Sequence, residues 1–203
     1  MASILDFLDS EKGNSFVQKA SSQLGEDPEK VKTALSSALP MMLGGMKRNS
    51  RTPEGAASLN RALEDQKHDG SLLDSLSGGG LDLGSLLGEG SGILGHIFGG
   101  KQNKVEDAVS ATSGMDSGKI SQLLKMAAPI IMGILGNQKR KDNVGQGGIG
   151  DLLGSVLGSG SSHDQSMLES FLDRDGDGNI ANDMGKLFKD KGGMTKGLGD
   201  LFR

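Results

Sequence analysis

Two segments of the chain repeat one another, and this repeat constrains the fold more than any other sequence feature. Residues 24–46 and residues 113–135 align without a gap at an offset of 89 residues. Each segment contains a glycine, an aspartate two residues later, and an amphipathic aliphatic run interrupted by a proline. The matched positions include Gly25/Gly114, Asp27/Asp116, Lys30/Lys119, Leu35/Leu124, Ala38/Ala127, Pro40/Pro129 and Gly44/Gly133. The pattern predicts a duplicated helical unit, with chance similarity of two Ala/Leu-rich helices as the alternative.

The repeated residues also predict how each unit is built. A glycine commonly ends a helix in the left-handed conformation, and an aspartate accepts hydrogen bonds from the free N–H groups of the next helix. A proline inside a helix removes one backbone hydrogen bond and is costly. Two prolines in register, Pro40 and Pro129, therefore predict a required kink in each core helix. We expect the units to pack about a pseudo-twofold axis that buries the small residues Ala38/Ala127 and Gly44/Gly133.

The remaining hydrophobic patterns also favour helices, and no segment alternates in the manner of a strand. The sequence predicts an all-α fold. Helices are predicted at about residues 2–8, 14–24, 27–46, 52–66, 103–112, 116–139, 165–172 and 182–189. The domain organisation expected is a first helical unit at 1–77, a Gly/Leu-rich connection at 78–100, a second helical unit at 101–145, and a C-terminal region at 146–203 that holds a Gly-rich segment, an acidic loop and a tail.

The connection at 78–100 mixes glycine with leucine and isoleucine, unlike an ordinary flexible linker, which is polar. A similar stretch occurs at 147–160. We expect residues 78–100 to form short helical turns and tight bends that pack their aliphatic side chains onto the core. A partly disordered segment that becomes ordered on binding is the alternative.

Composition narrows the classes of function. The chain of 203 residues has no cysteine, so disulfides and thiolate metal sites are excluded, and its net charge of −4 argues against a nucleic-acid partner. The N-terminus lacks the basic and apolar regions of a secretion signal, so a cytoplasmic location is expected. The most apolar stretch, residues 126–136, is too short to span a bilayer and is interpreted as a buried core helix.

The chemically specific motif is an acidic loop near the C-terminus. Asp173, Asp175 and Asp177 fit positions 1, 3 and 5 of an EF-hand loop, and Gly178 fits the sharp turn at position 6. Three aspartates within five residues repel one another unless a cation lies between them. The sequence therefore predicts a calcium site, with a solvated acidic turn as the alternative. The predicted metal ligands are Asp173, Asp175, Asp177, Asn179 through its carbonyl oxygen, and Asp183.

The predicted loop departs from the EF-hand pattern at position 12. Met184 stands where a bidentate glutamate is expected, and Asp183 is the nearest carboxylate that could close the loop. Methionine in place of glutamate at position 12 affects the expected calcium affinity and not the assignment of the loop. A single loop, without a partner loop, favours a structural calcium clip over a calmodulin-type switch.

Several segments together resemble the YidB-like bacterial family, known as domain of unknown function 937. The resemblance is carried by APIIMGILG (128–136), GILGHIFG (92–99), DLLGSVLG (151–158) and LDRDGDGNIANDMGKLF (172–188), and it covers about residues 10–190. It implies an all-helical, largely cytosolic bacterial protein, supports the calcium loop, and implies no activity, substrate or catalytic residue.

The leading hypothesis is a non-enzymatic calcium-binding scaffold that interacts with itself or with a protein partner. The alternative is a peripheral membrane or envelope-associated protein. Gly/Leu-rich amphipathic turns suit an interface, but these segments lack the Lys/Arg-rich polar face expected there.

Overall fold

A computed structural model describes residues 4–77 and 83–158, and within these ranges the chain is helical with no strand. The helices are α1 (Ile4–Asp9), α2 (Glu11–Leu24), α3 (Pro28–Asn49), α4 (Pro53–Glu64), α5 (Ser71–Ser77), α6 (Leu83–Phe98), α7 (Gln102–Ser113), α8 (Ser117–Lys141) and α9 (Ile149–Gly158). Short 3₁₀ turns occupy Gln66–His68, Gly99–Lys101 and Gln146–Gly148. The predicted all-α class is confirmed for the described part of the chain.

The two long helices α3 and α8 begin as their sequences predict. The Asp27 carboxylate accepts a hydrogen bond from the Glu29 N–H at 2.8 Å, and the Asp116 carboxylate accepts one from the Gly118 N–H at 2.9 Å. The helix before each start ends at a left-handed glycine, Gly25 with φ of 61° and Gly114 with φ of 69°. Both turns are thus fixed by short-range hydrogen bonds and by glycine's freedom at positive φ.

A further pair of hydrogen bonds occurs at the same offset of 89 residues. The Ser21 hydroxyl donates to the carbonyl of Glu26 at 2.5 Å, and the Ser110 hydroxyl donates to the carbonyl of Met115 at 2.6 Å. Each serine lies in the last turn of one helix and ties it to the residue before the next cap. The turns between α2 and α3 and between α7 and α8 therefore share the same local construction.

Helices α3 and α8 contribute nearly half of the buried hydrophobic side chains, and each carries its proline inside the helix. The fully or nearly buried side chains of these two helices are aliphatic: Val31, Ala34, Leu35, Ala38, Leu39, Met42, Leu43 and Met46 on α3, and Ile120, Leu123, Leu124, Met126, Ala127, Ala128, Ile130, Ile131, Met132 and Leu135 on α8. By length and composition α8 could cross a membrane, but 72% of its apolar window is buried inside the protein. This burial agrees with the predicted core helix.

The packing of small residues is only partly as predicted. Ala38, Ala127 and Gly133 are buried. Gly44 is only half-buried, and a Cβ added there would meet nothing within 4 Å. The expectation that Gly44 lies in a tight interface is therefore wrong, because a side chain at this position would meet no neighbouring atom.

The Gly/Leu-rich connection differs most from its prediction. Residues 83–98 form one continuous helix, α6, where short turns and tight bends were expected. The predicted packing onto the core is nevertheless found, with Leu83, Leu86, Leu94, Ile97 and Phe98 buried. Helix α6 lies against α8 and also contacts α3 and α7. Burial of its aliphatic side chains outweighs the low helix propensity of its glycines.

One glycine of α6 permits a very close approach between two helix backbones. A Cβ on Gly90 would lie 2.6 Å from the carbonyl carbon of Lys125 on α8 and would overlap its oxygen. In a regular helix that oxygen accepts from the residue four positions later, but here that residue is Pro129, which has no N–H. The proline leaves a carbonyl without its usual donor, and Gly90 packs directly against it.

Candidate functional site

The predicted metal ligands belong to the C-terminal region of the chain. Asp173, Asp175, Asp177, Asn179 and Asp183 lie outside the described residues, as do the helices predicted on either side of them. Within residues 4–77 and 83–158, no group of three or more His, Cys, Asp or Glu side chains is arranged to hold a metal ion. The calcium site therefore stays a prediction from the sequence.

A small apolar hollow lies beneath α1. Its volume is about 10 Å³, and its lining includes Ile4 and Phe7 of α1, Leu35 and Leu39 of α3, and Ile131 of α8. A hollow of this size holds about one water molecule, and water is disfavoured where the walls offer no polar partner. The hollow is a packing gap between helices and is too small for an organic ligand.

The most concentrated polar chemistry in the described body surrounds His68, in the 3₁₀ turn after α4. The His68 residue is only 6% exposed, and its Nδ1 lies 2.7 Å from the carbonyl oxygen of Ala62. A ring nitrogen that faces a carbonyl at this distance must carry the hydrogen and donate it. The ring orientation is therefore fixed by the last turn of α4.

The other ring nitrogen of His68 points towards α6. Its Nε2 lies 3.4 Å from Oε1 of Glu89, close enough for an ion pair, yet it makes no hydrogen bond with acceptable geometry. The two groups are neighbours and do not form a hydrogen bond, because a hydrogen bond also requires alignment. This pair could not be predicted from the sequence, since the two residues are 21 positions apart and share no motif.

Arg140, near the end of α8, holds the turn that carries His68. Its guanidinium donates to the carbonyl of Leu63 at 3.1 Å and also to the carbonyl of His68. Gly136, one turn earlier, lets α8 come this close, because a Cβ there would overlap the His68 carbonyl oxygen. The arginine thus satisfies one carbonyl in the last turn of α4, which has no donor within the helix, and one carbonyl in the 3₁₀ turn that follows.

An ion pair lies beside this turn. Lys139 is 8% exposed, and its Nζ lies 3.0 Å from Oε1 of Glu64, which also accepts a hydrogen bond from Asn60 Nδ2 at 2.9 Å. The hydrogen bond from Lys139, followed by that from Asn60, lowers the pKa of the Glu64 carboxyl. Glu64 therefore stays ionised and fixes the end of α4 to α8.

A second ion pair joins the two repeated segments. Lys119 Nζ on α8 lies 2.8 Å from Oε1 of Glu26, in the turn between α2 and α3. The hydrogen bond from Lys119 is the main cause that lowers the pKa of the Glu26 carboxyl, against the opposing effect of burial. Together these contacts hold the helices in position.

Comparison with known proteins identifies the family. Residues 6–138, about two thirds of the chain, match the model of a family described as bacterial protein of unknown function, DUF937. No curated protein matches the chain, and no solved structure matches it. The matched span runs from α1 nearly to the end of α8 and includes both His68 and Glu89. Arg140 lies two residues beyond the end of the matched span. The chain therefore belongs to the DUF937 family of bacterial proteins of unknown function.

Proposed function

We propose that this protein is a non-enzymatic calcium-binding scaffold that acts in the cytoplasm through contacts with a protein partner or with itself. The observation that carries the proposal is the Asp-x-Asp-x-Asp-Gly motif at residues 173–178. Hard carboxylate oxygens at alternate positions, followed by a glycine that turns the chain sharply, are the ligand arrangement that Ca²⁺ prefers.

The proposed calcium site uses four side chains and one backbone carbonyl. Asp173, Asp175 and Asp177 supply the first carboxylates, the carbonyl of Asn179 supplies a neutral oxygen, and Asp183 closes the loop. Because binding orders a segment that carries several like charges, the ion would stabilise the helices predicted on each side of the loop. We assign the ion a structural role.

The described helical body supports a scaffold role through its internal pairing. Charged side chains near the core meet partners elsewhere in the fold: Lys139 pairs with Glu64 on α4, and Lys119 pairs with Glu26 in the turn between α2 and α3. The common caps and serine hydrogen bonds of the two turns support the further proposal that this body is a duplicated, YidB-like unit. A helical body of this kind can carry a calcium loop without taking part in chemistry.

A protein partner is favoured over a membrane surface. The Leu and Ile side chains of α6 and α9 that a bilayer would need are directed largely into the body, with Leu86, Leu94, Leu152 and Leu153 buried. The membrane alternative predicts that the full chain co-sediments with anionic liposomes at low salt, and the scaffold proposal predicts that it stays in the supernatant.

Calorimetric titration of the metal-free full chain with Ca²⁺ tests the proposal. The wild type should bind one ion, Asp175→Ala should abolish the heat, and Arg174→Ala should retain it, because position 2 of such a loop is not a ligand. Equal binding by the wild type and Asp175→Ala, or no binding by the wild type, would overturn the calcium assignment.

A further inference from the structure

The buried ring of His68 leaves one of its nitrogens unpaired. Because Nδ1 donates its hydrogen to the carbonyl of Ala62, Nε2 of the neutral ring carries no proton and can only accept a hydrogen bond. Within the described part of the chain, Nε2 is buried and has no hydrogen-bond partner. Oε1 of Glu89 on α6, 3.4 Å away, is itself an acceptor when the carboxyl is ionised. The neutral ring therefore places two acceptors side by side.

A proton on Nε2 removes this conflict. Protonation makes Nε2 a donor, charges the ring and places it beside a carboxylate of opposite charge. The His68 side chain is 8% exposed and held by Ala62, whereas the Glu89 side chain is 30% exposed and free to adjust. Glu89 can therefore close the remaining distance to a hydrogen bond, and this bond exists only when His68 is charged.

The cations that α8 brings to this turn already have acceptors. The Arg140 guanidinium lies against the backbone carbonyls of Leu63 and His68, and its positive charge opposes a second charge on the ring. Lys139 pairs with Glu64 at 3.0 Å. Because Arg140 disfavours protonation and Lys139 is compensated, the Glu89 carboxylate is the group that favours the charged ring.

The charged groups of the other elements around the turn also have partners of their own. Among the described residues, Glu89 is the carboxylate that lies within 4 Å of a His68 ring nitrogen. The other contacts are from Arg61 to the carbonyl of Ala57 at 3.3 Å, from the Lys67 N–H to Asp65 at 2.9 Å, from the Ser71 N–H to Asp69 at 2.7 Å, and from Lys12 to Asp74 at 2.7 Å.

We propose that His68 and Glu89 form a pH-sensitive latch, which fastens α6 to the turn after α4 when His68 is protonated. The latch acts next to Gly90, where the backbone of α6 meets the Lys125 carbonyl of α8. Acidification strengthens the attachment of α6 at this point, and a rise in pH weakens it. The latch uses no residue of the acidic loop at 173–183 and goes beyond the proposed calcium scaffold.

Urea unfolding of the full chain at pH 8 and at pH 5.5 tests the latch. Glu89→Gln keeps the size of the side chain and removes its charge. At pH 8 the glutamine amide can donate to the neutral ring, so the variant should lose little stability. At pH 5.5 the charged ring loses its carboxylate. The ratio of the unfolding equilibrium constants, variant over wild type, should therefore be about three- to tenfold larger at pH 5.5 than at pH 8.

Asp107→Asn is the control, because it removes an exposed carboxylate of α7 that does not face His68. Its ratio to the wild type should be the same at both pH values. If the ratio for Glu89→Gln were also the same at both, Glu89 would not respond to the charge on His68 and the latch would be refuted. The variant leaves residues 173–183 unchanged, so this outcome and that of the calcium titration are independent.

Long-range ¹H–¹⁵N spectra of the wild type observe the proton directly, with the exposed His96 as the reference. At pH 8 His68 should carry its proton on Nδ1, and at pH 5.5 both ring nitrogens should be protonated. At an intermediate pH the charged fraction of His68 should be larger in the wild type than in Glu89→Gln. A neutral ring with its proton on Nε2 at pH 8, or a bare Nε2 at pH 5.5, would contradict the proposal.

Discussion

Substitution of Gly90 by alanine should destabilise the protein, although alanine normally stabilises a helix. In an exposed helix the change from glycine to alanine gains about 1 kcal/mol. At Gly90 the new Cβ would lie 2.6 Å from the Lys125 carbonyl carbon and 2.7 Å from its Cα, where ordinary contact begins at 3.4 Å. Both neighbours are backbone atoms, so no side chain can rotate away to relieve the overlap.

The size of the effect follows from the movement required. To bring the new Cβ from 2.6 Å to ordinary contact at 3.4 Å from the Lys125 carbonyl carbon, α6 must move away from α8 by at least about 0.8 Å. A gap of about 0.5–1 Å loses a quarter to a half of the dispersion energy of the contacts between the two helices. Overpacking typically costs about 1–3 kcal/mol. Because backbone meets backbone here, we expect a net loss of about 2 kcal/mol after the gain in helix propensity.

Two glycines of the same helix provide matched controls. A Cβ on Gly88 or on Gly92 would meet nothing within 4 Å. Alanine at either position should therefore raise the free energy of unfolding by about 0.5–1 kcal/mol. Urea unfolding followed by circular dichroism measures all three variants. A Gly90→Ala variant as stable as Gly88→Ala would refute the close approach of α6 to α8.

Three further perturbations test other parts of the account. Arg140→Lys should lower the free energy of unfolding, measured by urea denaturation, by about 1–2 kcal/mol, because a lysine ammonium group cannot donate to both carbonyls as the forked guanidinium does. Lys141→Met, at the exposed next position, is the control and should change the free energy of unfolding little. Lys119 holds the pKa of Glu26 below its ordinary value of 4.5. The ion pair therefore stabilises the fold at pH values above 4.5, and this stabilisation is lost as the pH falls through the lowered pKa. Glu26→Gln should accordingly narrow the difference in urea midpoint between neutral and acidic pH, and an unchanged difference would count against the ion pair. Met184→Glu should tighten Ca²⁺ binding by about tenfold or more in calorimetry if the loop follows the twelve-residue register, and weaker binding would show that it does not.

The helix boundaries could be predicted where short-range chemistry decides them. The turns at Gly25 and Gly114 need only a left-handed glycine and an aspartate cap, and both were predicted from the sequence and are observed. Helix α6 was not predicted as continuous, because its many glycines have low helix propensity. Its stability comes from packing on α8, and Gly90 is required there for a reason that only the fold reveals.

The polar contacts of His68 with Ala62, Glu89 and Arg140 could not be predicted either, because they also depend on how distant helices pack. These contacts join α4, α6 and α8, and no sequence spacing connects His68 with Glu89 or Arg140. The acidic loop is the opposite case, because its predicted ligands lie within one short segment and their spacing alone predicts calcium binding. The sequence is therefore informative about the loop and silent about the contacts between distant helices.

Equilibrium dialysis of the full chain against labelled Ca²⁺ tests the proposed calcium scaffold most directly. We expect one bound ion per wild-type chain, none for the double variant Asp175→Ala/Asp177→Ala, and one for Arg174→Ala. If the double variant retained the ion, or if the wild type bound none at millimolar Ca²⁺, the aspartates of residues 173–177 would not form a metal site and the proposed function would be wrong.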